Sequence, residues 1–116
     1  MAEIQNSDHG SSLAERHCVA CRGGTLPLDA QAIESLRRQV EGWEVVDGHH
    51  LRKVYRFADF RTALAFVNRV GEVSESEGHH PDIAFGWGRA EITLWTHAAD
   101  GLTENDFILA ARIDRL

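Results

Sequence analysis

Two tight-turn signals divide this chain into an alternating order of helices and strand pairs. Asp47-Gly48 is typical of a two-residue hairpin turn, and Gly86-Trp87-Gly88 supplies a second turn. Short apolar runs flank each signal, as expected for paired strands. The predicted strands are residues 43–46, about 49–57, 83–85 and 90–97. The sequence therefore predicts two β-hairpins.

Helix boundary residues surround these hairpins. Asp29 and Asp59 are good N-caps for the first two helices, and the third helix is expected to start at Thr103. Gly42 and Gly78 are expected to end the first and second helices. The expected apolar face of the second helix comprises Phe60, Ala63, Leu64, Val67 and Val70.

The resulting order, α-β-β-α-β-β-α, predicts an α+β fold. We expect a two-layer sandwich in which a four-stranded antiparallel sheet carries its helices on one face. The other face of the sheet then remains free for a ligand or a partner.

Length and charge narrow the classes of function. The 116 residues, 43% of them hydrophobic, suit a single domain over residues 13–116. A net charge of −6 argues against nucleic acid or an anionic membrane as partner. Residues 1–12 are polar, and we expect them to be disordered and not a signal peptide. The expected compartment is the cytoplasm.

The two cysteines form a C-x-x-C motif, Cys18 to Cys21, directly after His17. Such a motif is found in zinc sites and redox pairs. A zinc site would need further ligands, for which His17 and His9 are the nearby choices. A thioredoxin-like site would require a strand before the motif, and none is predicted there. We therefore favour two reduced thiols in an ordered N-terminal loop.

Histidine chemistry is concentrated in His79, His80 and His97. Pro81 disfavours a helical conformation for His80, so the chain is expected to leave the second helix extended at this point. Because side chains alternate along a strand, His97 is expected opposite the apolar row of its strand. Imidazole both donates and accepts protons near neutral pH, so three of them at one cleft indicate proton transfer. A metal site ranks lower, since no established histidine ligand spacing is present.

The residues around the histidines have structural interpretations as well. Glu75 falls in the last turn of a helix, which is usually solvated, and Trp87 can simply cover the hairpin. Residues 103–106 resemble a capping box, so Asp106 is a helix cap, a site residue or both. From the residues alone the prediction is an acid–base enzyme or a small-molecule binder.

The same window resembles the signature of the pterin-4a-carbinolamine dehydratases. That signature is an acidic residue, three spacers, His-His-Pro, five spacers, an aromatic residue, nine spacers, His, eight spacers and Asp. Every position is filled at every spacing, by Glu75, His79, His80, Pro81, Trp87, His97 and Asp106. The resemblance covers roughly residues 18–116.

This resemblance implies the dehydration of a 4a-hydroxytetrahydropterin to the quinonoid dihydropterin, after an aromatic amino-acid hydroxylase has used the pterin. It implies acid, base and substrate-binding roles shared by His79, His80 and His97. Glu75 and Asp106 would orient the imidazoles, and Pro81 and Trp87 would support the pocket. No metal or organic cofactor is expected, because the pterin is the substrate.

Proteins of the same fold without this activity provide the alternative. The resemblance extends to assembly factors for Rubisco and to dimerisation partners of a transcription factor. The complete histidine set favours the enzyme over both. The resemblance also implies a homodimer or homotetramer, although no residue fixes the number of subunits.

Overall fold

Both predicted hairpins form and join into one sheet in the computed structural model, which describes residues 13–116. The expected disorder of residues 1–12 lies outside this described range. The strands are β1 (Glu44–Val46), β2 (His50–Arg56), β3 (Asp82–Gly86) and β4 (Arg89–Leu94). All neighbouring pairs are antiparallel, in the order β1-β2-β4-β3.

The turn residues adopt the conformations that their types allow. Asp47 and Gly48 have φ angles of 56° and 62°, as a primed hairpin turn requires. Gly88 has a φ of 77°, and a Cβ there would lie 3.1 Å from the carbonyl oxygen of Phe57. Glycine is therefore required both for the turn between β3 and β4 and for its approach to the end of β2.

Three helices complete the predicted order: α1 (Ala30–Arg37), α2 (Phe60–Glu77) and α3 (Glu104–Ile113). Asp29 accepts a hydrogen bond from the backbone N–H of Ala32, and Asp59 accepts one from Thr62. Gly78, with a φ of 65°, ends α2 in the left-handed conformation. The predicted caps of α1 and α2 and the predicted end of α2 are therefore confirmed.

Helix α1 is shorter than predicted. It ends at Arg37, five residues before Gly42, because the chain tightens into turns closed by hydrogen bonds from Gln39 to Leu36 and from Val40 to Arg37. These turns bring Val40 into the core. Gly42 instead allows the chain to enter β1 with a φ of 81°.

The buried face of α2 also differs from the predicted one. Ala63 and Val70 are buried as expected, but Phe66 and Ser74 complete the buried row. Phe60 and Leu64 are exposed, and Phe60 packs against Phe85 of the edge strand, with ring centroids 5.3 Å apart. The helix is therefore rotated by part of a turn from the predicted orientation.

The core lies between the helices and one face of the sheet, which confirms the α+β two-layer prediction. Ala90, Ile92 and Leu94 of β4 are fully buried on this face, as their alternation predicted. On the opposite face, Arg52 forms ion pairs with Glu44 and Glu91. None of the helices formed by residues 13–116 combines the length and apolar character needed to cross a membrane.

Candidate active site

The end of α2 places two adjacent histidines at one cleft. After the left-handed turn at Gly78, the backbone N–H of His79 still bonds to the carbonyl oxygen of Ser74, 3.2 Å away. Pro81 then opens an extended path into β3. Backbone rotation at the helix end therefore allows His79 and His80 to line the same cleft.

His79 forms a close pair with a buried carboxylate. Its Nε2 lies 2.6 Å from Oδ1 of Asp106, and the exposed fractions of the two side chains are 12% and 0%. Because a carboxylate only accepts hydrogen bonds, the imidazole must donate from Nε2. Its Nδ1 is then the nitrogen that remains for proton exchange with a ligand.

Asp106 serves the helix and the histidine together. Its Oδ2 accepts hydrogen bonds of 2.9 Å from the hydroxyl of Thr96 and from the backbone N–H of Thr103. The second bond is the capping-box contact predicted from the sequence. The helix-cap interpretation of Asp106 is therefore confirmed, since Oδ2 caps α3 while Oδ1 contacts His79.

His80 forms a similar pair in solvent. Its Nε2 lies 2.7 Å from Oε2 of Glu75, but the two side chains are 60% and 80% exposed. Glu75 thus contacts an imidazole, as the resemblance implied, and is also exposed to solvent, as its place in the last helical turn predicted.

His97 is held by an aromatic ring, which sequence reasoning missed. Its ring stacks on Trp95 at a centroid distance of 4.5 Å and an angle of 6° between planes. The prediction that His97 lies within a strand is wrong, because β4 ends at Leu94 and His97 starts a short 3-10 turn. Thr96 closes this turn by pairing with Gly101, where Asp100 adopts a left-handed conformation with a φ of 49°.

These groups converge on one cleft of about 410 Å³. Its lining comprises Val19, Ala20, Cys21, Gly78, His79, His80, Pro81, Asp82, Trp95, Thr96, His97, Ala98 and Asn105. All three predicted histidines and Pro81 therefore meet there. Asp106 lies behind His79, and Glu75 touches the site through His80.

Trp87 lies away from this cleft. It lies on the turn between β3 and β4, is 73% exposed and is absent from the cleft lining. Trp95 is the aromatic residue of this cleft. Because alternate residues of an extended chain share a side, the position of Trp95 two residues before His97 was the available signal for it.

The C-x-x-C motif borders the same cleft. Cys18 and Cys21 are both free thiols, as favoured from the sequence. Burial, with the nearby carboxylates of Glu77 and Asp106, raises the pKa of Cys18 to about 12. His17 bonds to Glu77, and no group of three or more candidate metal ligands occurs within residues 13–116. His9, the other ligand considered for zinc, lies outside this range.

The structure is that of a small α+β protein with a cleft lined by three histidines. The family model for pterin 4 alpha carbinolamine dehydratase matches residues 26–116, and the chain belongs to this family. The predicted resemblance is thereby confirmed.

Two relatives carry the family name provisionally. A protein of Rubrobacter xylanophilus, named provisionally as a pterin-4-alpha-carbinolamine dehydratase, is 63% identical across 91% of this chain and 99% of its own length. A protein of Halorhodospira halophila, named in the same way, is 48% identical across 90% of this chain and 97% of its own.

Two solved structures share the fold. A protein described as a transcriptional coactivator/pterin dehydratase from Brucella melitensis superposes with a TM-score of 0.73 at 30% identity, covering 77% of this chain and 96% of its own. A pterin dehydratase-like protein described as a RuBisCO assembly factor in the alpha-carboxysome superposes with a TM-score of 0.56 at 28% identity. The latter match covers 65% of this chain and 88% of that protein.

Proposed function

We propose that this protein dehydrates a 4a-hydroxytetrahydropterin to the quinonoid dihydropterin by histidine acid–base catalysis. Membership of the dehydratase family supports the reaction class. The observation that carries the proposal is the His79–Asp106 pair at a cleft that His80 and His97 also line. The substrate would come from an aromatic amino-acid hydroxylase, whose pterin the reaction recycles.

The reaction needs one proton donor and one proton acceptor. The bond from C4a to its hydroxyl oxygen breaks, and an imidazolium supplies the proton that lets the oxygen leave as water. A neutral imidazole accepts the proton of N5, whose electron pair forms the new double bond to C4a. The proton gained balances the proton lost, so the protein returns to its starting charge.

His79 is the best-oriented of the three candidates. Asp106 fixes its ring in both the neutral and the cationic form, because Nε2 keeps its proton and its hydrogen bond in each. Nδ1 can then gain or lose a proton without any movement of the ring. General acid–base catalysis of this kind contributes roughly 10²–10⁴-fold in rate.

His80 and His97 complete the proposed proton transfer and substrate contact. His80 keeps Nδ1 available while Glu75 engages its Nε2. His97 lines the cleft while its ring stacks on Trp95. Pro81 supports His80, and Trp87 remains a proposed supporting residue on the signature alone. The chemistry uses no metal or organic cofactor, since the pterin itself is the substrate.

A coupled assay tests the proposal. An aromatic amino-acid hydroxylase would generate the 4a-hydroxypterin, whose decay is followed by absorbance with and without this protein. We expect acceleration that His79→Ala and His97→Ala largely abolish while the folded state persists by circular dichroism. Decay at the uncatalysed rate with well-folded protein would contradict the proposal.

A binding role without catalysis is the second candidate. The structural likeness to the RuBisCO assembly factor is the observation that favours it. Such a role needs no orienting carboxylate beneath a histidine, so the His79–Asp106 pair favours the enzyme. Co-purification with Rubisco by a protein that is inactive in the coupled assay would select the binding role.

A further inference from the structure

A short segment before α1 forms part of the cleft wall. Residues 16–22, called here the N-terminal strap, precede the range that the family model matches. Val19, Ala20 and Cys21 of the strap line the same cleft as the three histidines. The cleft is therefore built partly from chain outside the family's matched region.

Asn105 clamps the strap to α3. Its side-chain Oδ1 accepts a hydrogen bond of 3.0 Å from the N–H of Val19, and its Nδ2 donates one of 2.6 Å to the carbonyl oxygen of Val19. The same Nδ2 lies 3.4 Å from Sγ of Cys21. Asn105 is 4% exposed, and its neighbour Asp106 orients His79. The first turn of α3 thus fixes both the strap and the histidine.

A second attachment holds the other end of the strap. The carboxylate of Glu77, only 5% exposed, accepts hydrogen bonds from the N–H of Cys18 and from His17. Burial opposes its ionisation, yet these bonds and the charge of Arg112 hold the pKa of Glu77 below its usual value. Arg112 also donates to the carbonyl oxygen of Arg16. Fixed at both ends, the strap presents residues 19–21 as an ordered surface.

From these contacts we infer that the N-terminal strap is a substrate-contacting wall of the cleft and that Asn105 is the positioning residue that holds it. The inference rests on the proposed pterin dehydration. Val19, Ala20 and Cys21 offer an uncharged and largely apolar surface, which suits contact with a neutral bicyclic ring. Loosening the clamp would move this surface away from the ring and leave the histidines in place.

Thiol protection tests the wall without requiring turnover. Cys21 would be alkylated with iodoacetamide near pH 8, with and without 7,8-dihydrobiopterin, and the site identified by mass spectrometry. At a pterin concentration tenfold above its Kd we expect labelling of Cys21 to slow about tenfold, in the native protein and in His79→Ala. Unchanged labelling under saturating pterin would overturn the inference, whether or not the protein is an active dehydratase.

Loss of the clamp tests the positioning role. Asn105→Ala removes both bonds to Val19, whereas Val19→Pro removes one donor without altering α3. Each is expected to raise KM by about tenfold while kcat changes less than about threefold, because the histidines keep their partners. Asn68→Ala, on the exposed surface of α2, is the matched control and should leave KM unchanged.

The outcomes separate this inference from the proposed function. Protection of Cys21 with an unchanged KM in both clamp variants would overturn the role of Asn105. Protection by pterin in a protein that does not accelerate dehydration would support the wall and contradict the enzyme. Clamp variants should also label faster at Cys21 without pterin, and an unchanged rate there would contradict the clamp.

Discussion

His79 and His80 are neighbours in sequence, and each bonds to a carboxylate through Nε2 at nearly the same distance, 2.6 Å and 2.7 Å. The surroundings of the two pairs differ completely. Asp106 is fully buried, whereas Glu75 is 80% exposed. Similar local geometry therefore produces two different kinds of interaction.

The difference lies in what holds each carboxylate. Asp106 is fixed by Thr96 and by the N-terminus of α3, so it cannot turn away from His79. Among residues 13–116, the carboxylate of Glu75 bonds only to His80, and water competes for this exposed bond. Exposed ion pairs contribute about 0–1 kcal/mol, but breaking a buried pair costs about 3–5 kcal/mol. We therefore expect Asp106 to hold His79 in place for catalysis more firmly than Glu75 holds His80.

The largest expected effect comes from Asp106→Asn. The amide places a donor where one oxygen must accept, so either the His79 bond or the cap of α3 is lost. We expect kcat to fall on the order of 10²-fold or more and the unfolding free energy to fall by about 3 kcal/mol. The coupled assay measures kcat, and urea unfolding measures the free energy of unfolding. A loss of kcat below about fivefold would show that the buried pair contributes no more to catalysis than the exposed one.

The stack of His97 on Trp95 is a third way to hold an imidazole, and its loss should have an intermediate effect. Trp95→Leu keeps an apolar side chain but removes the flat surface beside the ring. An aromatic contact of this kind contributes about 0.5–1.5 kcal/mol, so kcat/KM should fall roughly 2–10-fold. A variant with unchanged kcat/KM would show that His97 needs no such support.

The carboxylate of Glu77 is buried, but its partner His17 is exposed. Replacing Glu77 therefore tests whether burial of the carboxylate alone determines how much such a pair stabilises the protein. Glu77→Gln should lower the unfolding free energy at pH 7 by about 1–2 kcal/mol. The folded-state pKa is lowered, so the stabilisation is present above the ordinary value of 4.5 and is lost as pH falls below it. The two proteins should therefore converge in stability below pH 4.5, and a constant difference in urea unfolding would contradict this.

The smallest effect is expected for Glu75→Gln. This exposed pair should contribute less than about 0.5 kcal/mol to stability, and its removal should lower kcat less than about fivefold. Salt already screens such a pair, so raising the ionic strength should reduce even this difference in kcat. A loss of kcat equal to that of Asp106→Asn would show that the exposed and the buried pair contribute equally to catalysis.

Local sequence rules predicted the features that depend on few neighbours. Asp59 and Gly78 bound α2 because capping and left-handed backbone are properties of single residues. Asp47-Gly48 formed its turn for the same reason. The spacing from Glu75 to Asp106 likewise identified the histidines that meet at the cleft.

Features that depend on tertiary placement were beyond the sequence. The complete burial of Asp106 depends on the packing of α3 against α2, which no local pattern encodes. The end of β4 before His97 depends on the pairing of Thr96 with Gly101. The bond between Asn105 and Val19 joins residues far apart in the chain, so neither residue indicated the strap by itself.

A double-mutant cycle on His79 and Asp106 shows whether the buried carboxylate acts through this histidine, with kcat for 4a-hydroxypterin dehydration as the measured quantity. If the pair acts as one catalytic unit, the variant carrying both His79→Ala and Asp106→Asn should be about as slow as His79→Ala alone. If the two losses multiply, Asp106 acts independently of His79, and the account of a buried orienting carboxylate is contradicted.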